Sequence, residues 1–138
     1  MRTMPATHPS LAPYLFYEDV ASAAQFLQDA FGFRLGFTSP DPEGGLAHAQ
    51  LLHDGGMIML GHAGEGGLGL ARSARSLGKL HAGVYVFVED VDAHCDRARA
   101  AGAKVMLPPA DQPWGDRMYC AVDHEGQFWM FARRLVSR

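Results

Sequence analysis

Tyr14-Leu15-Phe16-Tyr17-Glu18-Asp19-Val20 is the stretch that decides the fold, because 71 positions later the chain writes it again as Tyr85-Val86-Phe87-Val88-Glu89-Asp90-Val91. Behind the first copy stands Ala-Ser-Ala-Ala-Gln-Phe-Leu-Gln-Asp-Ala-Phe-Gly-Phe, and behind the second Asp-Ala-His-Cys-Asp-Arg-Ala-Arg-Ala-Ala-Gly-Ala. Each copy reads as an apolar strand, an acidic helix start, an amphipathic helix and a glycine stop. The same offset carries Gly55-Gly56-Met57-Ile58-Met59-Leu60 onto Gly126-Gln127-Phe128-Trp129-Met130-Phe131. Two such units, neither able to bury its own sheet face alone, point to a duplicated fold.

Working outward, residues 11–61 form a first module. A strand at 12–17 leads to Asp19 as N-cap, with Ala23, Phe26, Leu27 and Ala30 at helical spacing and Gly32 as the stop. Strands follow at 33–38, 48–53 and 57–60, separated by a Pro- and Gly-rich turn at 39–45 and a hairpin at 54–56. Residues 62–81 are a Gly-rich connector, expected to be mobile and lid-like. The second module, 82–134, repeats the order: a strand at 84–88, a helix from Asp90 to Ala101, strands at 104–107, 117–122 and 127–133, and a loop at 108–115. A loose leader (1–10) and a short tail (135–138) complete the chain. The pattern is βαβββ twice. It predicts an α+β fold in which each helix covers one face of a four-stranded sheet and the opposite faces curl around a cavity.

Composition narrows the function. With 138 residues and 48% apolar content the chain makes one compact domain. A net charge of −3, with 20% charged residues and no run of like charges, argues against a nucleic-acid partner and a membrane surface. The apolar runs are strand-sized, and the first ten residues carry no hydrophobic core of a secretory signal. Cys95 and Cys120 have neither framework nor metal spacing and are expected as reduced thiols of a cytoplasmic protein.

Further motifs join the repeat: Ala30-Phe31-Gly32-Phe33, Ala100-Ala101-Gly102-Ala103, and Gln112-Pro113-Trp114-Gly115-Asp116-Arg117 followed by Asp123-His124-Glu125-Gly126. From Leu11 to Arg134 the chain resembles the vicinal oxygen chelate superfamily of glyoxalases, extradiol dioxygenases and bleomycin-resistance proteins. Within it, the chain looks like the glyoxalase/bleomycin-resistance branch close to the PhnB-type proteins. That resemblance implies paired modules forming a curved mixed sheet around a cavity, commonly in a homodimer.

It also implies where a metal would sit. Metal-dependent members carry His or Glu on the first and last strand of each module; the matching positions here are Ala12, Met59, Gly83 and Met130. Alanine, glycine and thioethers cannot hold a hard or borderline divalent ion. No metal, no cofactor and no catalytic residue is therefore expected. The alternative is a glyoxalase-like lyase, isomerase or dioxygenase with a relocated ligand set from His48, His62 and His81. His94 and His124 are expected to be solvated.

With the matched positions inward, strand alternation lines the cavity with Tyr14, Phe16, Met57, Met59, Tyr85, Phe87, Phe128 and Met130. His48 and Tyr119 join them, Cys120 falling on the helix side. Such a lining suits a flat aromatic or amphipathic small molecule, though it would equally fill a closed core or a dimer seam. Trp114, with Arg117 beside it, reads as a ligand clamp at the cavity mouth or as a dimer anchor. Asp116 and Arg117 could form a local ion pair. The leading expectation is a metal-free protein that sequesters a small molecule, of the antibiotic-binding kind.

Overall fold

The computed structural model describes residues 9–64, 71–80 and 82–135. His8 and His81 lie outside them. Module one runs β1 (Tyr14–Tyr17), α1 (Val20–Phe31), β2 (Arg34–Pro40), β3 (Leu46–His53) and β4 (Gly56–His62). A short helix, α2 (Ala74–Leu77), stands between the modules. Module two runs β5 (Val84–Phe87), α3 (Val91–Ala100), β6 (Lys104–Asp111), β7 (Asp116–Val122) and β8 (Phe128–Arg134). The sheets are ordered β1-β4-β3-β2 and β5-β8-β7-β6, with β1–β4 and β5–β8 parallel and the other pairs antiparallel. The fold is the expected α+β pair of βαβββ units.

Both long helices start for the same reason. The Asp19 and Asp90 carboxylates accept the backbone N–H of Ser22 and Ala93, each at 3.0 Å, relieving a donor that the first turn leaves unpaired. Gly32 ends α1 in the left-handed region at φ 77°, where a side chain would be strained and would press on the Arg97 guanidinium. That guanidinium closes the helix end, donating from Nε to the carbonyl of Asp29 and from Nη2 to that of Gln28, both at 3.0 Å. A cation on exposed C-terminal carbonyls is favourable against the helix dipole.

One core serves both modules. Leu27 and Phe31 of α1 are buried together with Leu51, Leu60, Tyr119, Trp129 and Phe131 of the two sheets. Phe31 carries the packing across, its ring 5.5 Å from Trp129 and 4.7 Å from Phe131. The seam is also polar. Tyr17 Oη donates to Asp123 Oδ2 (2.6 Å), and Glu125 accepts the N–H groups of Glu18 (2.9 Å) and Asp19 (3.2 Å) at the head of α1. The β7–β8 turn of module two thus caps the helix of module one.

Three local expectations need correction. β6 continues to Asp111 through Pro108 and Pro109, where a loop was expected. It is an edge strand, so a proline's missing N–H costs the ladder nothing on the solvent side, and register shifts absorb the misfit. His94 is not solvated: Nε2 meets the Phe31 carbonyl at 2.9 Å and Nδ1 meets Tyr119 Oη at 2.6 Å. The carbonyl can only accept, so Nε2 holds the proton and Tyr119 donates to Nδ1. Burial holds His94 below its ordinary pKa and in that neutral form. His124 is stacked on Tyr17 and packs against Phe26 rather than standing in water.

Candidate functional site

The strand faces turned away from the helices remain partly open, and both are organised by a first-strand tyrosine. On the first sheet, Tyr14 is 42% exposed, and its ring lies over Gly61, where an added Cβ would come within 2.6 Å of the hydroxyl. Tyr14 Oη lies 3.1 Å from His48 Nδ1, while His48 Nε2 lies 3.1 Å from Gln50 Nε2. With the Gln50 amide donating, the Nδ1 proton goes to the Tyr14 oxygen, and Tyr14 keeps its own hydrogen for another acceptor. Phe16 packs 5.1 Å from Tyr14, and Met57 and Met59 are half-buried beside them.

On the second sheet Tyr85 occupies the matching place. Its hydroxyl donates to Asp116 Oδ2 (2.7 Å) and accepts the Trp114 Nε1–H (3.2 Å). Burial is the main cause of its raised pKa, which keeps the phenol protonated. Met118, Cys120 and Ala132 lie beneath, packed against Tyr85, Phe128 and Met130. Phe87 stands 5.4 Å from Tyr85, and the Arg134 guanidinium lies 5.4 Å over the Phe87 ring. Trp114 is 47% exposed.

Residues of β1 and β5 share the lining of a crevice. It measures about 540 Å³ and is lined by Tyr14, Leu15, Leu77, Val84, Tyr85 and Gln127. A neighbouring one of about 340 Å³ is lined by Leu11, Met57, Val84, Tyr85 and Phe87. A third, of about 490 Å³, opens over Arg34, Phe37, Gln50, Leu52 and Met57.

The structure places ten of the twelve expected lining residues on these faces: Tyr14, Phe16, His48, Met57, Met59, Tyr85, Phe87, Trp114, Phe128 and Met130. Tyr119 is a correction: it is 0% exposed, on the helix side with His94 and Phe131, while Cys120 takes the open side. The cause is register. Gln50 stands opposite Met59, but Cys120 rather than Ala121 stands opposite Met130. The turn between Val122 and Phe128 holds one residue more than that between Leu52 and Met57. One extra residue turns every β7 side chain to the other face relative to a constant offset.

Arg117 is corrected by the same slip. It faces α3, donating to both Asp92 oxygens (2.9 Å each) and to Asp111 (3.0 Å), and forms no pair with Asp116. Hydrogen bonds from Arg117 hold the Asp92 carboxyl below its usual range. Asp116, Met118 and Arg134 take the open side in its stead. The sides of Asp116, within the quoted 112–117 motif, and of Met118 depend on that one-residue shift.

The residues present do not fit the family's metal. At Gly83 a Cβ would stand 2.5 Å from Phe128 Cδ2, so the ring fills the space where a ligand side chain would grow. Among the described residues no group of three or more His, Cys, Asp or Glu side chains could hold an ion. The relocated set is also divided. His48 stands opposite Gly61, so its neighbour His62 falls on the other sheet face, where it lies 3.4 Å from Asp41. His81 is outside the described residues.

Comparison with known proteins agrees with this architecture. An uncharacterised Mycobacterium bovis protein is 38% identical over 123 residues, covering 88% of this chain and 80% of its own. The crystal structure of TioX from Micromonospora sp. ML1 matches with a TM-score of 0.73 at 36% identity, over 92% of this chain and 99% of that one. FosX, a fosfomycin resistance protein from Listeria monocytogenes, shares the fold at a TM-score of 0.65 and 16% identity, over 91% and 92% of the two chains. The profile of the Glyoxalase/Bleomycin resistance protein/Dioxygenase superfamily matches residues 8–131. With its paired βαβββ modules and open aromatic faces, the chain belongs to that superfamily.

Proposed function

We propose that this chain is a small-molecule-binding protein that works without a metal, holding a flat aromatic or amphipathic compound on its open sheet faces. The observation that carries the reading is the Trp114–Tyr85–Asp116 cluster, an exposed indole hydrogen-bonded to Tyr85, which packs with Phe128 and Met130 on Met118, Cys120 and Ala132. Rings and thioethers supply stacking and adaptable contact. The side chains at Ala12, Met59, Gly83 and Met130 supply no metal chemistry. A second copy of the chain, laid against the apolar faces, would complete the walls, and a homodimer is part of the proposal. Sequestration of an antibiotic is its concrete form; FosX, which shares the fold, is by name a resistance protein. The 112–126 motifs support a place near the PhnB-type branch. The two buried free thiols suit a reducing cytoplasm.

Calorimetric titration with a panel of aromatic antibiotics tests the reading through Trp114→Ala. Loss of one stacking platform is expected to weaken binding roughly tenfold, on the order of 1 kcal/mol, with the melting temperature nearly unchanged. A fall of several degrees with dissociation of a dimer would instead make Trp114 an interface anchor.

A further inference from the structure

We infer that Asp116 recognises a hydrogen-bond donor on the bound molecule, so that the ligand class is an aromatic bearing an N–H or O–H group; the inference rests on the aromatic-binding reading above. Asp116 is 2% exposed. Its Oδ2 accepts the Tyr85 hydroxyl, but its Oδ1 is buried with no hydrogen-bond partner among the described residues. This is not how the fold treats its other buried carboxylates. Asp123 Oδ1 accepts the N–H of Glu125 and Gln127, its Oδ2 accepts Tyr17 and Trp129, and each oxygen of Glu125 holds a backbone N–H just ahead of α1. An unsatisfied charged acceptor is costly in a folded chain. Its persistence within an aromatic cluster is explained if a ligand supplies the missing donor.

The neighbouring groups fix the polarity of that donor site. Tyr85 gives its hydrogen to Asp116, and Trp114 gives its N–H to Tyr85. Neither side-chain group has a hydrogen left to offer, so what remains in the cluster is acceptor: the unpaired Asp116 oxygen, buried in the unliganded fold, and a phenolic lone pair. Arg134 stands opposite Asp116 on β8 but carries its guanidinium over the Phe87 ring. A ring stacked on Trp114 and bearing a donor at its edge would match this cluster; an acceptor-only ring would meet two oxygens.

The test is calorimetric titration of the intact protein with 2-naphthol and with 2-methylnaphthalene, which share a ring and differ in the donor. The wild type is expected to bind 2-naphthol roughly tenfold more tightly, as one charge-assisted hydrogen bond allows. In Asp116→Asn the preference is expected to vanish, since the amide keeps its oxygen for Tyr85 and turns an N–H2 toward the ligand. Melting curves confirm that this variant folds; if it does not, the wild-type comparison decides by itself. Equal binding of both compounds by the wild type overturns the role of Asp116 and leaves the aromatic site standing. Binding of neither overturns the aromatic reading beneath it.

Discussion

Asp123→Ala is expected to lower the unfolding free energy by about 3–5 kcal/mol, the scale on which breaking a buried charged network destabilises. Asp123 is the knot between the modules. Its carboxylate takes the Tyr17 hydroxyl (2.6 Å), the Trp129 indole N–H (3.1 Å) and two backbone N–H groups of its own turn (3.0 Å each). Alanine strands all four donors where water cannot replace the acceptor. It also loosens the turn that presents Glu125 to the head of α1, so the loss spreads to module one. Burial and the adjacent carboxylate hold Tyr17 well above its ordinary pKa, so its hydroxyl stays a donor at any working pH. Urea denaturation of Asp123→Ala beside the wild type measures the effect. A loss below about 1 kcal/mol would mean that the apolar seam alone joins the modules.

Gly83→Ala is expected to destabilise by about 1–3 kcal/mol, the usual range for overpacking, although the backbone effect of replacing glycine works the other way. A Cβ there would lie 2.5 Å from Phe128 Cδ2 and 3.2 Å from the Phe128 carbonyl oxygen. The ring must leave, and with it one of the three side chains that pack on Met118, Cys120 and Ala132. A double-mutant cycle isolates the cause. With Phe128→Ala in place, the cost of Gly83→Ala should fall to near zero. An unchanged cost in that background would trace it to the backbone instead. The same collision bars a histidine at this position, so a single substitution cannot rebuild the family's ligand there.

The duplication was legible because strand and helix periods repeat over most of the chain, and caps such as Asp19, Asp90 and Gly32 announce themselves by residue type. The open faces of β1, β4, β5 and β8 were legible too, since alternation there keeps one offset. The β7 face was not. One additional residue in a turn carries no mark in a hydrophobicity pattern, yet it exchanges Tyr119 for Cys120 and Arg117 for Asp116. Tertiary partners hid the histidines. His94 looks like a surface residue of a polar helix until the Phe31 carbonyl and Tyr119 are brought over it. Pro108 and Pro109 read as loop because edge-strand status is a property of the sheet, not of the residues.

The proposed function requires the open faces to bind without a metal. It is tested most directly by elemental analysis of protein purified without chelator, followed by thermal-shift titration with Zn²⁺, Ni²⁺, Mn²⁺ and Fe²⁺. An ion that binds the folded chain must raise its melting temperature. Metal far below one equivalent is expected, with no shift from any of the four. Near-stoichiometric metal, or a rise of several degrees with one ion, would contradict it and make the chain a metal-dependent member of its superfamily.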